Sequence, residues 1–239
     1  MNFGGSTLRD RLNLVRDRVI RACARSGRAA DQVVLIGVTK TVPVEVVSEA
    51  VVLGLADLGE NRVQEAEAKI AAVGRSHARW HLIGHLQRNK AGRAVTLFDR
   101  IHSVDDLELA RAVSRRAVEA RVTMPVLIEV NVSGEPSKFG VSPAETPALA
   151  EQVAALPALR FDGFMTVGAK VDVPDDARAG FARLRAVRDL AERRVGHPLP
   201  VLSMGMSGDF EVAIEEGSTM VRVGTALFGA RPRAALERN

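Results

Sequence analysis

Lys40 closes the apolar run "VVLIGVTK" (residues 33–40), and an ε-amine at the lip of a buried strand has two uses. Its stem can lie along apolar surface with the ammonium in water, or the amine can attack a carbonyl carbon and form a Schiff base. Position alone weighs the two equally. Far along the chain, "SMGMSGDFEVAIEEG" places Ser207 and Gly208 before a helix capped near Asp209, and "MVRVGTALFG" places Gly224 and Thr225 at the end of another apolar run. Glycine lets an anion approach the backbone amides and the two hydroxyls can donate to it, although each stretch alone also reads as an ordinary helix cap or strand end. Val221 and Val223 share one strand face, so Arg222 lies on the other with Met220 and Gly224. If the valines face the helices, the guanidinium points inward and needs an acceptor: Glu129 of "VLIEVNVS", or a ring nitrogen of a ligand.

These residues sit at the ends of a repeating pattern. Short apolar runs begin at residues 33, 55, 79, 100, 124, 160, 199 and 220, and between them lie longer segments, such as 105–120 and 176–195, with helical periodicity and charged outer faces. Strict alternation implies parallel pairing. Eight repeats in a chain of this length fit an α/β fold, a single (β/α)₈ TIM barrel, with an open doubly wound sheet as the alternative. An extra N-terminal helix precedes the first strand. Its Leu/Val/Ile stripe, together with Asp10 and Asp17, reads as a packed helix rather than an organellar presequence. No linker or break in composition intervenes, so residues 1–239 read as one domain.

In such a barrel the working face is the C-terminal rim of the strands. There the sequence places Lys40, Glu60, Asn61, His85, Ser103, Asn131, Ser133, Thr166, Ser207, Gly224 and Thr225. Barrels bind phosphate with the loops after strands 7 and 8, which here carry Ser207 and Gly224–Thr225. A lysine, a phosphate cup and an inward arginine together suggest pyridoxal 5′-phosphate (PLP): its aldehyde on Lys40, its phosphate on Ser207 and Gly224–Thr225, its pyridine nitrogen at Arg222.

The segments "VTKTVP", "GENRVQEA", "WHLIGHLQRNK", "HSVD", "KFGV", "GFMTVGA" and "LSMGMSGDFEVAIEEGSTMVRVGTALFGAR" run from the first strand to the last. In them the chain resembles the PLP homeostasis protein family, whose fold is of the alanine racemase N-terminal domain type. The resemblance implies Lys40 as the Schiff-base lysine, Asn61 near the phenolic oxygen of the ring, Arg222 at the ring nitrogen, and a phosphate site from Ser207, Gly224 and Thr225. It also implies a non-catalytic carrier that serves vitamin B6 and amino-acid balance and touches PLP-dependent apoenzymes transiently.

The alternative is a PLP enzyme such as an amino-acid racemase. A racemase resemblance would bring a tyrosine base from a second, β-rich domain, and this sequence has no tyrosine. An arginine at the ring nitrogen also disfavours its protonation and weakens the ring as an electron sink. With no second domain through which to pair, the chain is expected to be a monomer.

Other features narrow the partners. Lys plus Arg number 33 against 29 acidic residues, a net charge of +4, and no basic run is interleaved with aromatics, so nucleic acid is not expected. No run reaches membrane-spanning length, and a cytoplasmic location is expected. One cysteine, Cys23, allows no intrachain disulfide and reads as a small hydrophobe on the first helix. His81 and His85 would stand roughly 13 Å apart on a strand, too far to share a metal ion. Lys138 reads as a solvated loop charge and Trp80 as core packing.

Overall fold

The computed structural model describes residues 5–168 and 171–229. Eight parallel strands close into a barrel in chain order: β1 (Val34–Val38), β2 (Asp57–Glu60), β3 (Arg79–Leu82), β4 (Arg100–Val104), β5 (Met124–Glu129), β6 (Leu159–Met165), β7 (Val201–Ser203) and β8 (Met220–Val223). All eight expected runs form strands. Each strand is shorter than its run, and the polar residues that follow it are left on the rim; β1 stops at Val38, two residues before Lys40. The last run changes character, because "TALF" is not strand but a short helix (Thr225–Phe228) starting beside Gly224. Ala169, Ala230 and Arg231, which belong to the quoted motifs, lie outside the described residues, as do the two ends of the expected domain.

The helices are α1 (Leu8–Arg25), α2 (Val44–Val52), α3 (Val63–Val73), α4 (Ala91–Leu97), α5 (Leu107–Ala120), α6 (Thr146–Ala154), α7 (Arg178–Val195), α8 (Phe210–Glu215) and α9 (Thr225–Phe228). Their inner stripes and the outward strand residues, Leu58, Trp80, Ile101 and Phe164 among them, make one continuous core. A second, smaller cluster of Ile36, Leu127, Met165, Val201 and Met220 fills the barrel. Among the described residues no helix is long and apolar enough to cross a membrane.

The expected extra helix is α1. It opens on a capping box: Asp10 N donates to Thr7 Oγ1 (3.2 Å) and Thr7 N donates to the Asp10 carboxylate (2.9 Å). Its buried stripe includes Cys23, the expected small hydrophobe. Arg18 pairs with Glu211 at 2.7 Å, Arg28 donates to the carbonyls of Ile214 and Ser218, and Arg11 donates to the Leu227 carbonyl. The first helix therefore clamps the last two βα units.

Two strands carry one extra residue. On β6, Phe161 faces Val126 and Gly163 faces Leu127, so Asp162 bulges between them; on β4, Ile101 and Val104 face Val126 and Ile128, which leaves the bulge at His102–Ser103. Gly163 holds φ +145° with its α-carbon against β7, where an added Cβ would overlap the Val201 carbonyl. We predict that Gly163→Ala costs roughly 2–5 kcal/mol from strain and overpacking and lowers the melting temperature by about 5–15 °C. Calorimetry checks this; an unchanged melting temperature would show that the bulge relaxes freely.

Candidate functional site

Lys40 is half-buried at the rim, between two residues held from behind. Thr39 N donates to the Gly59 carbonyl (3.0 Å) and Thr39 Oγ1 to Glu60 Oε1 (2.6 Å). Lys69, buried on α3, donates to the Thr39 carbonyl, to Glu60 Oε1 (2.7 Å) and to Glu65 Oε1 (2.8 Å). Glu65 in turn accepts the Thr41 amide, and Thr41 adopts φ +62°, a left-handed conformation unusual for threonine. The Lys69 cluster thus fixes the backbone on both sides of Lys40. Glu60, expected on the rim, instead lies fully buried between the barrel wall and α3, because Lys69 and Thr39 draw its carboxylate outward. Burial pushes its carboxyl up, and Lys69 only partly offsets this.

The two loops proposed for an anion are joined to each other. Ser207 Oγ accepts the amides of Gly224 (3.2 Å) and Ala226 (3.3 Å). Asp209 folds the preceding loop by accepting the Met206 amide at 2.6 Å, which presents Ser207 to β8. Thr225 is exposed beside them. One cavity is lined by Lys40, Thr41, Gly224 and Thr225, so the structure brings together the lysine of the first strand and the Gly-Thr pair of the last.

Arg222 is buried at 4% exposure and points into the barrel, as the alternation of β8 requires. Its NH1 donates to the carbonyl (2.7 Å) and hydroxyl (2.8 Å) of Ser203, and its NH2 to the Thr166 carbonyl (2.8 Å). Three of the five guanidinium N–H donors are thereby engaged. The direct acceptors are strand-end oxygens of β6 and β7; Glu129 makes none of these bonds and acts on Arg222 as a nearby charge. Burial brings the Arg222 pKa down to about 10, so it stays protonated near neutrality. Glu129 is buried at the end of β5 and rises to about 7, chiefly through burial and then through the charge of Asp105, against the pull of Arg222.

Asn61 is half-buried on the loop after β2 and packs so closely against Gly84 that a Cβ there would overlap its backbone. His85 is exposed, pairs through Nδ1 with Asp105 at 3.2 Å and stacks on Phe139. Several expected rim groups serve the loops instead. Ser103 Oγ donates to the Gly84 carbonyl, Thr166 Oγ1 to the Val130 carbonyl, and Asn131 ties down Ser133, Gly134 and the carbonyl of Glu135. Lys138 is not a free loop charge: it pairs with Glu135 and donates to the Gly168 carbonyl. Trp80 is in the core, as expected. His81 meets not His85 but His102, ring nitrogens 2.9 Å apart, and no cluster of three metal-binding side chains occurs among the described residues. The sequence does not single out Ser203, His102 and Asp57; their only signal in it is an inward position in the strand alternation.

Residues 17–232 match the family model described as alanine racemase, N-terminal domain. The chain is 45% identical over 222 residues to the pyridoxal phosphate homeostasis protein of Aquifex aeolicus (strain VF5), covering 93% of this chain and 97% of that protein. Among solved structures, PipY of Synechococcus elongatus PCC7942 with PLP bound superposes with a TM-score of 0.83 at 35% identity, over 93% of this chain and 100% of PipY. Alanine racemase of Clostridium difficile 630 shares the fold, with a TM-score of 0.70 at 14% identity over 93% of this chain and 57% of the racemase.

The unusual carboxyl of Glu129 makes a prediction. The native group keeps its proton up to about pH 7, whereas an unfolded glutamate releases it near 4.5. Native protein therefore binds the extra proton between these values, and stability falls as pH rises through that window and levels off above it. Glu129→Gln should remove this fall and raise stability at pH 8 by up to roughly 3 kcal/mol in the ligand-free protein. Denaturant midpoints at pH 5 and pH 8 check it; parallel pH dependence in the two proteins would contradict the shifted carboxyl.

Proposed function

The chain belongs to the alanine racemase N-terminal domain family and, within it, to the pyridoxal phosphate homeostasis proteins, and from that membership we propose how its own residues hold PLP. The protein binds PLP in PLP homeostasis. Our assignment of the site rests on one observation: Lys40 and Gly224–Thr225 line the same cavity, with Ser207 bonded to Gly224 and Arg222 one inward position below it on β8.

These residues fit the cofactor. When bound, PLP supplies an aldehyde carbon for an amine and an electron-withdrawing ring. Lys40 provides the amine, and its pinned flanks limit the backbone freedom lost on attachment. Ser207 and Thr225, on the loops that the Gly224 amide ties together, would hold the phosphate with neutral donors. Arg222, held from below by Ser203 and Thr166, has N–H donors left and would face the ring nitrogen and keep a proton off it. Asn61 would face the phenolic oxygen.

We read the whole chain, 1–239, as one PLP-binding unit that holds the cofactor without substantial turnover, a cytoplasmic monomer that meets apoenzymes transiently and so serves amino-acid balance. The near-complete coverage of the homeostasis relative supports this. So does the site itself. Racemisation needs proton removal on one face and delivery on the other, and Lys40 serves one. The chain has no tyrosine, Asn61, Ser207, Thr166 and Thr225 are poor bases, and the His85 imidazole is stacked on Phe139 at the outer rim.

Borohydride reduction of PLP-loaded protein followed by peptide mapping should find the pyridoxyl group on Lys40, and Lys40→Ala should lose the visible band; label mainly on Lys138 or Lys90 would refute the assignment. Ser207→Ala with Thr225→Val should weaken PLP binding about tenfold or more through lost charge-assisted hydrogen bonds, with pyridoxal bound far less tightly than its phosphate. Chiral chromatography of alanine, serine and glutamate should show no Lys40-dependent racemisation at about one turnover per second or faster, the lower end of ordinary enzyme rates.

A further inference from the structure

Beneath Arg222 the barrel carries a line of polar side chains that cofactor binding does not itself call for. Ser203 Oγ, which accepts from Arg222, lies 3.0 Å from His102 Nδ1; His102 Nε2 lies 2.9 Å from His81 Nδ1; His81 Nε2 lies 2.9 Å from Asp57 Oδ1. Arg79 closes the far end, with Nε at 2.8 Å and NH2 at 2.6 Å from the two oxygens of Asp57. Five strands contribute, and the line runs through a barrel otherwise packed with Ile36, Leu127 and Met165. His102 reaches it from the β4 bulge, the kind of irregularity that re-aims a side chain.

The direction of the bonds follows from the carboxylate end when both rings are neutral. A guanidinium only donates, so Ser203 Oγ accepts from it and keeps its hydroxyl hydrogen and one lone pair for His102 Nδ1. At the other end, burial pushes the Asp57 carboxyl up, but the bonds from His81 and Arg79 outweigh it and hold the group ionised. An ionised carboxylate only accepts, so His81 Nε2 donates. Burial holds the imidazole of His102 neutral, helped by the guanidinium charges of Arg222 and Arg100. A neutral ring between these ends accepts at Nδ1 and donates at Nε2. With both rings neutral, this gives one orientation, from Arg222 to Ser203, His102, His81 and Asp57.

We propose that Ser203, His102, His81 and Asp57 are positioning residues for Arg222, a one-way hydrogen-bond chain that keeps both histidines as Nε2–H tautomers and holds the Ser203 oxygen on the guanidinium. The chain commits NH1 of the fork to Ser203, and the donors bonded neither to Ser203 nor to Thr166 remain for a ligand. Its consequence for the ring nitrogen rests on the PLP reading above; its tautomers do not. The other charges facing it are Arg100 beside His102, and Glu129 and Asp209 beside Arg222.

Nitrogen-15 NMR of the histidine rings in PLP-free protein tests the chain by itself. His81 and His102 should both show a bare Nδ1 and a protonated Nε2, and a protonated Nδ1 on His102 would overturn the proposal. In PLP-loaded protein, His102→Leu and Ser203→Ala should move the pH midpoint of the visible band by about one unit and weaken retention about tenfold, equivalent to roughly 1.4 kcal/mol. His102→Gln, whose amide can accept from Ser203 and donate to His81, should stay near wild type. A folded His102→Leu protein with an unchanged midpoint and unchanged retention would reduce the line to a structural plug. If that variant does not fold, Ser203→Ala and the wild-type tautomers decide. If wild-type protein holds no PLP, the functional reading fails while the NMR result still judges the chain.

Discussion

A guanidinium sealed inside a closed barrel has no water to turn to, and the protein must solvate it. That requirement, at Arg222, organises the middle of this molecule. The carbonyls of Thr166 and Ser203 are available because β6 and β7 end there, and the Ser203 hydroxyl adds a third acceptor. That hydroxyl in turn bonds His102, and in the chain proposed above the polarity runs on through His81 to a carboxylate. An apolar barrel with one buried arginine would leave unpaired donors in its centre. This barrel instead divides its interior between an aliphatic patch from β1, β5, β6, β7 and β8 and a polar line that crosses from β8 to β2.

The architecture was legible because it depends on repetition. Eight β-branched runs separated by helical segments can close in few ways, and the rim residues follow from where each run ends. Lys40, Ser207, Arg222, Gly224 and Thr225 stood out for the same reason: each is a polar or small residue at a strand end. Treating the strands singly hides three further features. Glu60 reads as a rim residue because it precedes Asn61, but its partner Lys69 sits on α3 and pulls it behind the wall. The nearest protein acceptors of Arg222 include backbone oxygens, which carry no sequence signature. His102 and Ser203 matter through a contact between residues 101 positions apart, which no single strand shows.

The rim shows how little of a polar collection need be functional. Ser103, Asn131, Ser133 and Thr166 satisfy loop backbone, and Lys138 ties the loop after β5 to Gly168. Such groups are what allow irregular loops to pack at a barrel mouth without stranded N–H and C=O groups. What distinguishes Lys40 is the effort spent on its neighbours, with a buried lysine and two carboxylates fixing Thr39 and Thr41 on either side. The backbone is over-determined there, as a threonine at positive φ requires.

The seam of the barrel joins β1 to β8, with Ile36 opposite Arg222, and α1 lies across the outside of that join. The halves of the site are therefore the earliest and the latest strands to be synthesised. While the ribosome is still at work, Lys40 has emerged but the arginine and the glycine loop it faces have not, so the newborn chain carries the amine without its counterparts. Pairing across so long a separation is also the slowest contact to form. On the proposed reading of the site, a chain cut short before its final strand keeps Lys40 and Ser207 but lacks Arg222, Gly224 and Thr225, so the cavity that Lys40 shares with Gly224 and Thr225 is not formed.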